Sequence, residues 1–156
     1  VGAIMARLYL MDYKKQPLIV SNDEAVGLNA PNKRLDVMLV QFLMNVTGRH
    51  NDRSWAWFMD WKYPLPTIDG ICGKQTQDWI WRFQEHLKSK RIFQDGRVDP
   101  IKNGISDTSV GGPLTIYMLN VAYYNTFGDN AIEHIVDHAR FPREVARTFM
   151  MHGRAW

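Results

Sequence analysis

A chain of 156 residues, 46% apolar and 22% charged, is long enough to bury a core without staples and too apolar to be mostly disordered, so one domain with extensions is expected. Nineteen basic against 16 acidic residues leave a net charge of +3, and no basic cluster exceeds Lys88-Ser89-Lys90-Arg91, which argues against a nucleic-acid partner while allowing weak attraction to an anionic wall or membrane surface. The single cysteine, Cys72, excludes an intrachain disulfide, and no apolar run approaches the roughly 18 residues of a membrane span.

Residues 4–11 are expected to form a short strand or a docking arm, and 12–33, rich in Asp, Lys, Asn, Pro and Gly, a loop. A first helix is predicted from about Lys33 to Thr47. Leu35, Met38, Leu39, Phe42, Leu43 and Val46 make its stripe, and Val37, Val40 and Met44 widen that stripe to most of the circumference, the mark of a buried central helix. Within Val37–Met44 only Gln41 is polar, and Asp36 sits in the first turn, where a carboxylate favours the helix dipole. Residues 48–68 form a long connection carrying Trp55, Trp57, Phe58, Trp61 and Tyr63, read either as rings capping the core or as a platform for a glycan, peptide or subunit.

A second helix is predicted from about Lys74 to Lys90, with Trp79, Ile80, Phe83 and Leu87 on its core face, Arg82, Glu85, His86 and Lys88 nearer solvent, and Trp81 off the main stripe. Residues 92–111 read as a second long loop. A third helix follows from about Pro113 to Asn125, then two shorter ones, Asn130–Ala139 and Pro142–His152, separated by Phe141-Pro142. Ile132, Ile135, Val136 and Ala139 are expected on one face of the first of these, and Val145, Ala146, Phe149 and Met150 on one face of the second. The fold class is therefore mainly α, with long loops and little sheet.

One pattern occurs twice. Asp69-Gly70, two residues, then Gly73-Lys74-Gln75-Thr76 opens the second helix; Asp95-Gly96, two residues, an insert, then Gly112-Pro113-Leu114-Thr115 opens the third. Asp-Gly favours a tight turn because Gly accepts positive φ, Gly is an acceptable N-cap, and Pro suits the first helical position. Asp69 and Thr76 read most simply as turn and cap hydrogen-bonders. Cys72 is either a small apolar residue tucked under the turn or a thiol slightly acidified by the helix start.

Taken together, three segments resemble the peptidoglycan-binding-like domain family. Asp36-Val37 through Val40-Gln41 to Leu43-Met44-Asn45 is similar to its first-helix signature. Asp69-Gly70-Ile71-Cys72-Gly73 through Thr76 to Phe83-Gln84 is similar to its turn and second helix, and Asp95-Gly96-Arg97-Val98-Asp99-Pro100 with Gly112–Asn120 to its closing turn and third helix. The resemblance spans roughly 26–120. It implies a three-helix module preceded by an N-terminal arm, 1–25, and followed by a helical extension, 121–156. It also implies a noncatalytic role without cofactor, with peptidoglycan or its stem peptides as partner, in the bacterial envelope, periplasm or outside the cell. Variants of the family also occur in phage and contractile-injection assemblies, which makes a structural or adaptor subunit the alternative. Lys74 stands where the family usually has proline, and the inserts at 48–68 and 99–111 depart from the simple pattern.

By chemistry, Arg82 and Arg97 suit peptide carboxylates and Trp79 suits a sugar face, with Trp55, Trp57 and Trp61 as further aromatics. The same residues equally suit ion pairs and core. The single metal-like spacing is His134 and His138, at i and i+4 on a helix beside Glu133, with His152, His50 or Asp137 as a third ligand, and it underlies a third alternative, a small metal-dependent hydrolase. The zinc-protease pattern wants Glu after the first His, and Ile135 is there; a solvent-facing His pair is the plain alternative.

Overall fold

The structure, a computed structural model, describes residues 7–9, 19–49, 64–88, 92, 94–101, 115–128 and 130–151. Among these the architecture is mainly helical. Helices α1 (Arg34–Arg49), α2 (Lys74–His86), α3 (Thr115–Phe127) and α4 (Arg143–Met151) are joined by a 3₁₀ helix, Ala131–Asp137, and by four short strands.

α1 is the central element. Val37, Leu39, Val40, Phe42 and Leu43 are fully buried, and Met38, Met44 and Val46 nearly so. A helix apolar around most of its circumference satisfies itself only when other elements surround it, and α3, α4 and the third strand all touch α1. α2 buries one face, Thr76, Trp79, Ile80, Phe83 and Gln84, and turns out Trp81 and Glu85. It ends at His86, four residues before the predicted Lys90. There the Leu87 N–H is shared between the carbonyls of Phe83 and Gln84, and the Leu87 side chain drops into the core.

One of the four strands lies within 4–11, where a strand or docking arm is expected from sequence, and the other three lie where loops are expected. β1 (Arg7–Tyr9) pairs antiparallel with β2 (Ile19–Ser21), Leu8 opposite Val20. β3 (Val26–Gly27) pairs antiparallel with β4 (Arg97–Val98), Val26 opposite Val98 and Gly27 opposite Arg97. The second pair stitches the N-terminal segment to the second Asp-Gly turn, 70 residues away in sequence, and needs glycine to do so. Gly27 has φ +124, and a Cβ there would stand 2.1 Å from the Gly96 carbonyl oxygen.

The predicted helix Asn130–Ala139 is a 3₁₀ segment instead, broken at His134 (φ −111, ψ 16). Ile132 and Ile135, on either side of that break, are both buried, whereas Ala139 lies beyond the segment and is exposed. α4 follows Pro142 and is tied back by Arg34, which donates from Nε and Nη2 to the Glu144 carboxylate (3.3 and 3.2 Å) and from Nη1 to the Asp69 carbonyl. One core cluster runs from Ile19 to Val145. The expected boundary at 120/121 falls inside α3, because the side chains of Ile132, Ile135, Phe141 and Val145 complete the same core as α1.

Candidate functional site

Two side-chain amides organise the twin turns. Gln41, buried on α1, donates from Nε2 to Asp69 Oδ1, the Ile71 carbonyl and Thr76 Oγ1, all at 3.0 Å. Its Oε1 accepts the backbone N–H groups of Asp69 (3.0 Å) and Gly70 (2.9 Å). Gln84 on α2 repeats the arrangement. It donates to Asp95 Oδ1 (3.0 Å), the Arg97 carbonyl (2.8 Å) and Thr115 Oγ1 (3.0 Å), and accepts the Gly96 N–H (2.8 Å). In each turn the Asp carboxylate also accepts the N–H two residues on, from Ile71 (2.9 Å) and Arg97 (3.0 Å), an Asx turn. Gly70 and Gly96 have φ of +77 and +73. A helix amide thus clamps the following Asp-Gly turn and the threonine of the next helix, twice in succession.

This changes the role expected for Thr76. The N-cap of α2 is Gly73, which supplies no side-chain bond, and the Thr76 hydroxyl is the acceptor for Gln41 instead. Another buried amide, Asn120 on α3, accepts the Val20 N–H and donates to the Val20 carbonyl, both at 2.8 Å, fixing β2. Asp36 likewise does more than face the helix dipole. It is fully buried and accepts the N–H groups of Asp23 (2.7 Å) and Glu24 (3.1 Å). Burial raises its pKa, against the lowering effect of those two N–H groups. Asp69 goes the other way. The Ile71 N–H, helped by Gln41 and Arg34, holds its carboxyl below the usual carboxylate range despite some desolvation.

Beside the first turn lies a cleft of about 250 Å³ lined by Pro64, Lys74, Gln75, Asp78, Trp79 and Arg82. Five of these project from one stripe of α2. Pro64 is held over them because its carbonyl accepts the Trp79 indole N–H (2.7 Å) and the Gln75 amide (3.4 Å). Lys74 Nζ pairs with Asp78 Oδ2 at 2.7 Å across one turn. Trp79 is only 4% exposed, so most of its ring belongs to the core and a small part reaches the cleft. Arg82 is half-buried.

The structure therefore brings Trp79 and Arg82 together. It leaves Arg97 apart, on β4 beside the second turn and 3.5 Å from Asp99. Trp55, Trp57 and Trp61, together with Gly112, Pro113, His50 and His152, lie outside the described residues. Trp81, 46% exposed, stands over the second turn with Leu28, 48% exposed: a Cβ on Gly96 would touch Leu28 Cβ at 3.4 Å and Trp81 Cε3 at 3.7 Å.

Burial pushes the Cys72 thiol up, which speaks against the acidified-thiol alternative and for the small residue under the turn, here half-buried. The His134–His138 pairing is also corrected. The backbone is kinked at His134 and extended at His138 (φ −64, ψ 133), so the two residues do not share a regular helical face, and His138 turns inward. Its ring lies edge-on to Phe42 and Phe127, both at 5.3 Å, while its Nδ1 accepts the Arg140 N–H. His134 remains largely exposed, 3.8 Å from Asp137. Among the described residues no group of three His, Cys, Asp or Glu side chains is placed to hold a metal.

Sequence reasoning missed Gln41, Gln84 and Asn120 as organising groups. For Gln41 and Asn120 the available signal was a lone amide inside an apolar helical run, since a buried amide must find partners; Gln84, between Phe83 and Glu85, carried no such signal. Among the described residues no helix is long and apolar enough to cross a membrane. No protein-family model, curated protein or solved structure matches the chain.

Proposed function

We propose that this protein is a noncatalytic binding module with the peptidoglycan-binding-like fold, recognising the bacterial wall polymer through its stem peptides, and that it acts in the cell envelope or outside the cell. The observation that carries this reading is the cleft beside the first Asp-Gly turn, in which an indole and a guanidinium line one concavity. Aromatic surface takes up aliphatic and sugar CH groups, and guanidinium pairs with carboxylates, the two chemistries that a peptide-linked glycan offers. The Gln41 clamp supports it, because a turn fixed by five amide hydrogen bonds holds the start of α2, and so the cleft, in one shape. Co-sedimentation of the full chain with purified sacculi tests it. Saturable pelleting is expected, weakened about tenfold in Arg82→Ala with an unchanged melting temperature; absence of pelleting, or pelleting indifferent to Arg82, overturns it.

The second reading, a structural or adaptor subunit of a phage or injection-type assembly, is favoured by the neighbouring exposed side chains of Leu28 and Trp81 and by Ile71, 66% exposed on the first turn. Gel filtration separates the two: a monomer that pellets with sacculi supports the first, an oligomer that does not supports the second.

A further inference from the structure

Three charged side chains of the cleft, Lys74, Asp78 and Arg82, follow one another at i, i+4 and i+8 on α2, so the α2 wall reads cation, anion, cation. A site for a simple anion would not carry a carboxylate at its centre, and a site for a simple cation would not flank that carboxylate with Lys and Arg. Such a row complements a group bearing both signs. Pro64 and Trp79 supply apolar wall beside it. The volume, about 250 Å³, is below that of typical drug-sized pockets and fits the end of one side chain rather than a disaccharide.

We propose that the cleft binds the zwitterionic end of a diamino-acid side chain, an ammonium and a carboxylate on one carbon at the tip of an aliphatic stem. This rests on the wall-binding reading and names the part of the stem peptide that is read. The ligand carboxylate pairs with Arg82, the ligand ammonium with Asp78, and the methylenes lie against Trp79 and Pro64. The Lys74–Asp78 pair, with side chains 86% and 45% exposed, is the kind that water and salt weaken, so the carboxylate is transferable to a ligand ammonium. Lys74 is then a competitor for Asp78 and not a ligand contact.

The test is calorimetric titration of the full chain with the tripeptide L-Ala-γ-D-Glu-meso-diaminopimelate and with its L-lysine counterpart, which keeps the side-chain ammonium and lacks its carboxylate. The diaminopimelate peptide is expected to bind about tenfold more tightly or better. Arg82→Gln and Asp78→Asn should each weaken it by about tenfold, and Lys74→Ala should leave it unchanged or tighten it. Equal affinity for the two peptides overturns the proposal, as does an Asp78→Asn variant that binds normally, which would make the cleft an anion site. A chain that pellets with sacculi but ignores the tripeptide overturns this inference alone; failure of both overturns the wall-binding reading with it.

Discussion

Gln41 offers one amide hydrogen pair to three oxygens and one oxygen to two N–H groups, so its replacement leaves several partners wanting at once. Gln41→Ala should cost about 2–4 kcal/mol in chemical denaturation, as buried unmet groups do, and Gln84→Ala a similar amount. Gln41→Glu should cost at least as much, because a carboxylate oxygen would then face Asp69 Oδ1 and the Ile71 carbonyl; a well-tolerated Glu would contradict the assigned amide orientation. The two aspartates make opposite predictions for acid. Asp69 has a lowered folded pKa, so its contribution is complete above the unfolded value, roughly 4, and is lost as pH falls through the folded one. Asp36 has a raised folded pKa, so its contribution is complete below roughly 4 and is lost as pH rises through the folded value. Melting curves from about pH 5 to about pH 2 should thus fall less steeply in Asp69→Asn than in the wild-type chain, with Asp36→Asn departing in the opposite sense. At this scale the sequence was legible for turn formers, since Asp-Gly imposes its own geometry, and not for the amides, whose partners lie 28 to 35 residues away from Gln41.

The elements divide by how local their causes are. α1 and α2 were readable from their apolar periodicity, and the buried residues Val37, Phe42, Ile80 and Phe83 fall where that periodicity puts them. β2, β3 and β4 were not, because strands of two or three residues carry no alternation and exist only through partners distant in sequence. The 3₁₀ helix was read as α because Ile132 and Ile135 satisfy either period. Gly27 is the residue on which the β3–β4 pair depends. Gly27→Ala would press Cβ into the Gly96 carbonyl at a positive φ, and a loss of about 3 kcal/mol is expected, with the hydrogen-exchange protection of Leu28, whose N–H donates to that carbonyl at 2.9 Å, reduced first. An Ala variant with wild-type stability would mean that the two strands do not approach this closely.

Over the whole molecule, the segments read from sequence as arm, module and extension share one core, because β2 is pinned by Asn120 and α4 by Arg34. The cleft was half legible: Trp79 and Arg82 could be singled out by chemistry, but their meeting with Pro64 and the separation of Arg97 depend on how the chain folds back. The most direct test of the wall-binding account is the backbone and indole N–H spectrum of the labelled protein, titrated with muropeptides released from sacculi. The account predicts that the shifts cluster on Lys74, Gln75, Asp78, Arg82 and the Trp79 indole. Shifts centred on Leu28, Trp81 and Gly96, or none at saturating muropeptide, would contradict it.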